Sequence, residues 1–387
     1  MIHRLFKFSA EKNIFLLGPR QTGKSALIKN ELKNILHFEI NLLKSETYKR
    51  YQKNPEFFKQ DILYKVKNEK IRIIFVDEIQ KLPILLDDIH FLIEEYKIKF
   101  ILSGSSPRKL KKGQANLLGG RVPIRYLFPF TYLELNESFN LEQALIYGTL
   151  PGIYFLLESD KRDSLITYVE TYLKEEILAE GIIRNLEPFS RFLDICGIYN
   201  SELLNYSNIS RESAVALKTV QNYFQILEDT LIAYKLPAWD KSVKKQLALT
   251  PKFYFFDNGI TSVLNNQLNL SADSNYKGKV FEQYIINELR AIKFYKNSLL
   301  KFHFWRTVAG SEVDLLITDN NKILTAIEIK YKTKINSKDF SGLKSFREEQ
   351  PMVPLYLVYT GEESYEVDGI TILHYKTFIK IVAEKII

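Results

Sequence analysis

Eight consecutive residues, Gly18-Pro-Arg-Gln-Thr-Gly23-Lys24-Ser25, set two glycines ahead of a lysine and a hydroxyl. The glycines allow a tight loop whose backbone N–H groups turn toward phosphate oxygens, and a helix starting there adds its positive end. In such a loop Lys24 reaches the β- and γ-phosphates and Ser25 ligates Mg²⁺. Gly18, Pro19, Arg20, Gln21, Thr22, Gly23, Lys24 and Ser25 are therefore expected to hold ATP. Further along, the apolar run Ile73-Ile-Phe-Val76 delivers Asp77 and Glu78. Open α/β sheets place their ligands at the carboxyl ends of strands. Asp77 is expected to hold Mg²⁺ through water and Glu78 to orient and polarise the attacking water, which together give ATP hydrolysis.

Two further positions belong to this chemistry. The run Lys99-Phe-Ile-Leu102 ends in Ser103-Gly-Ser-Ser106, where a polar side chain can sit between the acidic strand and the γ-phosphate. Ser105 is the first choice, with Ser103 behind it. Arg121, after a basic, Gly-rich stretch, is either a surface arginine or a finger that offsets charge on the transferred phosphoryl group across a subunit interface, which requires a homo-oligomer.

A second group of carboxylates lies near the C-terminus. Glu282 falls in the helical stretch Lys277–Leu289, Asp314 in the strand Glu312–Ile317 and Glu328 with Lys330 in the strand Ile323–Lys330. Alternation along a strand puts Glu328 and Lys330 on one face and Ile327 and Ile329 on the other. Carboxylates and an amine at mid-strand are costly to bury without a purpose, and with Mg²⁺ they can activate water against a phosphodiester. Glu282, Asp314 and Glu328 are expected to hold Mg²⁺ or Mn²⁺, with Lys330 positioning water or offsetting phosphate charge. His303 and Trp305 read as packing residues.

The elements that must position these residues follow from periodicity. Over residues 1–154 short apolar runs alternate with helical patterns, the mark of a parallel sheet covered on both faces. Over 155–251 a 3.6-residue period dominates, as in Leu165–Leu178. Within it, helices starting near Phe192, Ser207 and Lys218 read as a winged helix-turn-helix over 189–238. Val220, Phe224 and Leu227 form the buried stripe of its last helix, which leaves Lys218, Thr219, Gln221, Asn222 and Gln225 to face a DNA groove. A second α/β pattern covers 252–387, with a turn at Asp319-Asn-Asn321.

The 387 residues exceed what one hydrophobic core usually supports, so two or three domains are expected. No apolar run is long enough to span a bilayer and no signal core opens the chain, so a soluble, cytoplasmic protein is expected. Its one cysteine, Cys196, excludes an intrachain disulfide and a cysteine-cluster zinc site. Net charge is +9 over 1–150, −3 over 151–250 and +2 over 251–387. A basic face of that kind attracts nucleic acid or is simply solvated.

These residues together resemble a bacterial and archaeal family of AAA+ P-loop ATPases that end in a PD-(D/E)XK restriction-endonuclease-like domain. The likeness is carried by Gly18–Ser25, Phe38-Glu-Ile-Asn-Leu-Leu43, Phe75-Val-Asp-Glu-Ile-Gln80, Gly104–Lys111, Ala115–Arg121, Gly148-Thr-Leu-Pro151 and Gly278-Lys-Val-Phe-Glu282 with the later carboxylates. Pro107 stands where the pattern leads one to expect a small residue. The resemblance implies an α/β fold with an AAA+ parallel-sheet domain, a winged-helix middle and a nuclease-like end. It also implies ATP and Mg²⁺ as cofactors and DNA as partner. Two functions fit: an ATPase that works on DNA and cuts it, or a switch-like ATPase whose last two segments are binding modules.

Overall fold

The computed structural model describes residues 2–107, 120–173, 186–242, 244, 246, 249–268 and 274–387. The basic stretch 108–119 and the end of the helix expected over Leu165–Leu178 lie outside the described residues. The chain divides into two compact units, residues 3–128 with 229–231, and residues 129–228 with 232–387.

In the first unit five strands form one sheet: β1 (Ile14–Leu17), β2 (Phe38–Asn41), β3 (Ile73–Asp77), β4 (Lys99–Gly104) and β5 (Ile124–Tyr126). All its pairings are parallel, in the order β2-β3-β4-β1-β5. Buried side chains run along the whole of β1 and nearly all of β3 and β4, as a sheet covered on both faces requires. Helix Leu85–Tyr96 buries Leu85, Leu86, Ile89, Leu92 and Ile93, a helical stripe against that sheet. The strand order matters for chemistry. Strand β4 lies between the strand that feeds the glycine loop and the strand that ends in Asp77, so its carboxyl end adjoins both.

The second unit opens with residues 129–154, which the sequence pattern joins to the first domain. Phe130, Tyr132, Leu135, Phe139, Ala144 and Leu145 are buried in one cluster with Val280, Phe281, Tyr284 and Leu289. Their apolar face is satisfied there, which is why they cluster with the second unit. Helices Leu186–Ile198, Tyr206–Ser213 and Leu217–Asp229 follow, then the antiparallel pair β6 (Ala233–Leu236) and β7 (Lys252–Phe255). Val220, Phe224 and Leu227 are buried as the periodicity predicts, and Lys218, Gln221, Asn222 and Gln225 are exposed. Cys196 is fully buried among aromatic and aliphatic side chains.

Six strands complete this unit: β8 (Lys301–Arg306), β9 (Glu312–Asp319), β10 (Lys322–Lys330), β11 (Leu355–Tyr359), β12 (Tyr365–Val367) and β13 (Ile370–His374). Their order is β12-β13-β11-β10-β9-β8, with β8, β9 and β10 antiparallel and β10, β11 and β13 parallel. The turn between β9 and β10 is made by Asn320 and Asn321, both at positive φ, which asparagine tolerates and a tight hairpin needs. Helix Ser274–Tyr295 covers one face and helix Ser341–Glu349 the other. No described helix is long and apolar enough to cross a membrane.

The Gly148-Thr-Leu-Pro segment finds its reason here. A Cβ on Gly148, whose φ is +69°, would meet Asp257 Oδ1 at 2.0 Å. Asp257 accepts backbone N–H bonds from Thr149 and Gly259, both at 2.9 Å, and caps helix Asn258–Leu264. Burial pushes its carboxyl up to about 6, against those N–H groups, which pull the other way. A folded-state pKa above the unfolded value means stability that is fully present below pH 4 and lost as pH rises through 6. Between pH 4 and pH 7 the wild type is expected to lose about 3 kcal/mol more than Asp257→Asn, measured by urea unfolding at both pH values. Equal losses in the two proteins would contradict a strained buried carboxylate.

Candidate functional site

The phosphate loop connects β1 to helix Lys24–Glu31. Gln21 at φ +62° and Gly23 at φ +86° give the alternating backbone that turns successive N–H groups inward. Gly18 is forced by contact: a Cβ there would stand 2.3 Å from the carbonyl oxygen of Leu127. The loop is also pinned from outside. Buried Arg4 donates to the carbonyls of Thr22 at 2.9 Å and Phe128 at 2.7 Å, and Thr22 donates to Pro19 O at 2.9 Å. Lys24 is buried and donates to the carbonyls of Gly18 and Pro19, at 2.8 and 2.9 Å, so its ammonium is held over the loop. Gly18, Pro19 and Thr22 are buried, Arg20, Gly23 and Ser25 are half-buried, and Gln21 is exposed.

Opposite the loop, the Ser25 hydroxyl lies 2.9 Å from both oxygens of Asp77. Asp77 is itself buried, at the end of β3. A hydroxyl facing a buried carboxylate is an oxygen donor set suited to a hard cation such as Mg²⁺. Ser103, on the intervening strand β4, donates to Asp77 and accepts the Glu78 N–H at 3.3 Å. Of the two serines weighed from sequence, Ser103 is thus the one that touches the acidic pair. Ser105 is buried and accepts from Gln80 at 3.0 Å. Gln80 donates to Glu78 as well, and so holds the proposed water-polarising carboxylate to the end of β4. Glu78 has φ +60°, uncommon for a residue with a side chain and the kind of strain that collects at functional sites. Gln80 had no assigned role in the sequence; its only signal was a place two residues beyond Glu78.

Arg121 is elsewhere. It pairs with Glu94 on helix Leu85–Tyr96, and its carbonyl accepts from Asn13, the residue before β1. Asn13 also receives the N–H of Phe100 near the start of β4. Arg121 is therefore at the amino-terminal edge of the sheet, a strand's length from its own chain's phosphate loop, and exposed.

The C-terminal carboxylates do gather, with company the sequence reading left out. Lys252, on β7, is 5% exposed, and its Nζ stands 2.6 Å from Glu312 Oε1, 3.0 Å from Glu282 Oε1 and 3.9 Å from Asp314 Oδ1. Tyr254, two residues on and so on the same face of β7, donates to Glu282 at 2.6 Å. Asp314 Oδ2 accepts the N–H of Ile329 at 2.8 Å, while Arg306 pairs with the other oxygen of Glu312 at 3.0 Å. Lys330 is ion-paired to Glu328 Oε1, as the shared face predicts, and Glu328 Oε2 is buried with no hydrogen-bond partner.

Burial alone lowers the pKa of an ammonium; at Lys252 the charges of Glu282, Asp314 and Glu312 outweigh it and hold the group protonated, above the usual lysine range. Burial raises the Glu282 carboxyl to about 7, with Lys252 opposing the rise. Burial also raises Glu328 well above the carboxylate range, helped by the negative charge of Asp314. Among the described residues no three carboxylate, imidazole or thiolate side chains are grouped so that they could hold one metal ion. The expected metal set of Glu282, Asp314 and Glu328 is divided instead between two ammonium groups. A dication about 4 Å from an ammonium is repelled by about 8 kcal/mol at an effective dielectric near 20, so Lys252 opposes a metal among these carboxylates. His303 and Trp305 are packing residues: His303 is buried and meets Thr318 at 3.3 Å, and Trp305 stacks edge-on to Phe346.

Comparison with known proteins bears on the domain that carries the first of these two sites. Residues 10–136 match the model of an AAA domain. Residues 138–274 and 277–378 match two families described as domains of unknown function, DUF8612 and DUF4143. A protein of Haemophilus influenzae described as an uncharacterized protein is 21% identical over 92% of this chain and 91% of its own. Among solved structures, a Walker-type ATPase of Pyrococcus abyssi is 16% identical with a TM-score of 0.45, covering 65% of this chain and 90% of that one. The Aeropyrum pernix ORC1 protein in complex with DNA is 15% identical with a TM-score of 0.31, covering 66% and 86%. The N-terminal part of this chain is a P-loop ATPase domain of the AAA type.

The two glycines at the heads of the two sites separate contact from convenience. Gly18→Ala is expected to lower ATP affinity at least tenfold and to cost about 1–3 kcal/mol of stability, since its Cβ meets backbone that cannot yield. Gly278→Ala, on a helix with open space around it, is expected to bind ATP normally and gain about 0.5–1 kcal/mol. Titration calorimetry and thermal unfolding of the two variants check the contrast; equal behaviour would remove the steric account of the loop.

Proposed function

We propose that this chain is an ATP-hydrolysing AAA+ protein whose nucleotide state governs contacts with DNA. The observation that carries the reading is the single network of Ser25, Asp77 and Ser103 at the carboxyl ends of adjoining strands, beside the glycine loop. A Mg²⁺ arriving with ATP would offset the charge of the phosphates. Ser25 and Asp77 would hold it. Lys24 exchanges the carbonyls of Gly18 and Pro19 for the β- and γ-phosphates, and the backbone N–H groups of residues 20–25 receive the remaining phosphate oxygens. Glu78, freed from Gln80, accepts a hydrogen bond from the attacking water and draws its proton as the γ-phosphate leaves.

For DNA, the support is the +9 charge of residues 1–150 and the exposed polar row Lys218, Gln221 and Asn222 on helix Leu217–Asp229. That helix, the two before it and the β6–β7 pair form a winged helix in this reading, and residues 252–387 a nuclease-like domain. Arg121 acts in trans, in an oligomer, if it acts on phosphate at all. Of the two roles for the C-terminal segment, cutting DNA or binding without cutting, the position of Lys252 favours binding.

ATP turnover with and without single-stranded, duplex and branched DNA tests this. Wild type is expected to hydrolyse ATP faster with DNA, Lys24→Ala to lose nucleotide binding, and Glu78→Gln to keep ATP while turnover falls at least a hundredfold. Full turnover by Lys24→Ala would sink the ATPase site, and turnover indifferent to every DNA would sink DNA as the partner. Nicking of any of these DNAs with Mn²⁺ that disappears in Asp314→Asn would overturn the non-cutting role.

A further inference from the structure

We infer that the ammonium of Lys252 is the resident cation of the C-terminal carboxylate centre, standing where a nuclease of this layout holds a divalent metal. The centre is then a metal-free charge clasp that fastens the β6–β7 pair to the six-stranded sheet. The inference rests on reading residues 252–387 as a nuclease-like binding module, and three observations carry it.

The first is position. Lys252 is the opening residue of β7, paired in register with Leu236 of β6 and bridged to Leu203. Its stem is thus fixed by the strand pair, while its Nζ ends between a helix carboxylate, Glu282, and two carboxylates of β9, Glu312 and Asp314. An ammonium has three donors, and it has three carboxylates around it.

The second is how the oxygens are used. Glu282 Oε1 accepts from both Lys252 and Tyr254, Asp314 Oδ2 accepts a backbone N–H, and Glu312 is shared by Lys252 and Arg306. The lone pairs a metal would need are turned toward N–H and O–H donors fixed in the fold. Glu312 itself lies outside the carboxylates singled out as a nuclease set, and it makes the shortest of the three contacts to Lys252.

The third is what is left over. Glu328 Oε2 is buried and accepts nothing, and a Cβ on Gly342 would come within 3.4 Å of it. Charge and acceptor capacity for a cation therefore remain in the centre, and Lys252 is what stands in the way of a second one. Removing its amine leaves Glu282, Glu312 and Asp314 without their shared positive partner. A small divalent cation is the ligand that would then satisfy them, as hard oxygen donors prefer.

The test uses the full chain without nucleotide and with Asp77→Asn as background, so that the ATP site contributes no metal. Mn²⁺ binding is followed by electron paramagnetic resonance. The background protein is expected to show no binding that depends on Asp314. Adding Lys252→Ala is expected to create one Mn²⁺ site per chain, at least tenfold tighter than any in the background, which disappears when Asp314→Asn is added. Mn²⁺ bound by the background protein and lost with Asp314→Asn overturns the inference. So does a folded Lys252→Ala chain that gains no site, and in that case the non-cutting role stands untouched. If Lys252→Ala does not fold by circular dichroism, Lys252→Met, which keeps an apolar stem of similar length and removes the charge and the donors, takes its place with the same expectations. Asp314-dependent DNA nicking by wild type would instead remove the reading beneath it.

Discussion

A buried carboxylate must find hydrogen-bond donors or positive charge, and both functional regions of this chain are arranged around that need. Burying an ionised carboxylate without compensation costs far more than a domain's whole stability margin, so each one in the fold has to be answered. At the first centre Asp77 is met by hydroxyls from Ser25 and Ser103, neutral donors that leave room for a cation arriving with ATP. At the second, Glu282, Glu312 and Asp314 are met by an ammonium that is part of the chain. In the roles proposed here the first centre takes an exchangeable cation with ATP and the second keeps a fixed one, so turnover belongs to the first and cohesion to the second.

The strand order serves the same end. Placing β4 between β1 and β3 brings Ser103 to Asp77 and Ser105 to Gln80, so the acidic pair is wired to the strand beside the loop. Glu78 is at positive φ, and its carboxylate accepts from Gln80, which also donates to Ser105 just beyond β4. In the second unit, Gly148 against Asp257 ties residues 129–154 to helix Asn258–Leu264, and Lys252 ties β7 to helix Ser274–Tyr295 and to β9. The six-stranded sheet and the strands before it are parts of one compact unit.

What could be read from the sequence was what depends on near neighbours. The glycine loop, Asp77 and Glu78 at a strand end, the buried stripe of helix Leu217–Asp229 and the Asn320-Asn321 turn are all set within a few residues, and the structure places them accordingly. Contacts made across the chain were not legible. Ser103 and Ser105 flank the same glycine in sequence, and only the pairing of β4 with β3 decides which meets Asp77. Arg121 follows a stretch that sequence reading could bring near the phosphates, yet the short β5 starts at the far edge of the sheet. Lys252 was the larger omission, since its partners lie 30 or more residues away. One signal was present: Lys252 and Tyr254 are polar alternates in an otherwise aromatic strand, Lys252-Phe-Tyr-Phe255, the pattern of a face turned toward charge.

The account comes down to how many divalent cations the intact chain holds and what brings them. Counting Mn²⁺ by electron paramagnetic resonance on the wild-type protein, with and without a non-hydrolysable ATP analogue, asks this directly. The expected result is one tightly bound Mn²⁺ per chain with the analogue and none without it. A Mn²⁺ retained without nucleotide, or two per chain with it, would contradict the division between an exchangeable and a built-in cation.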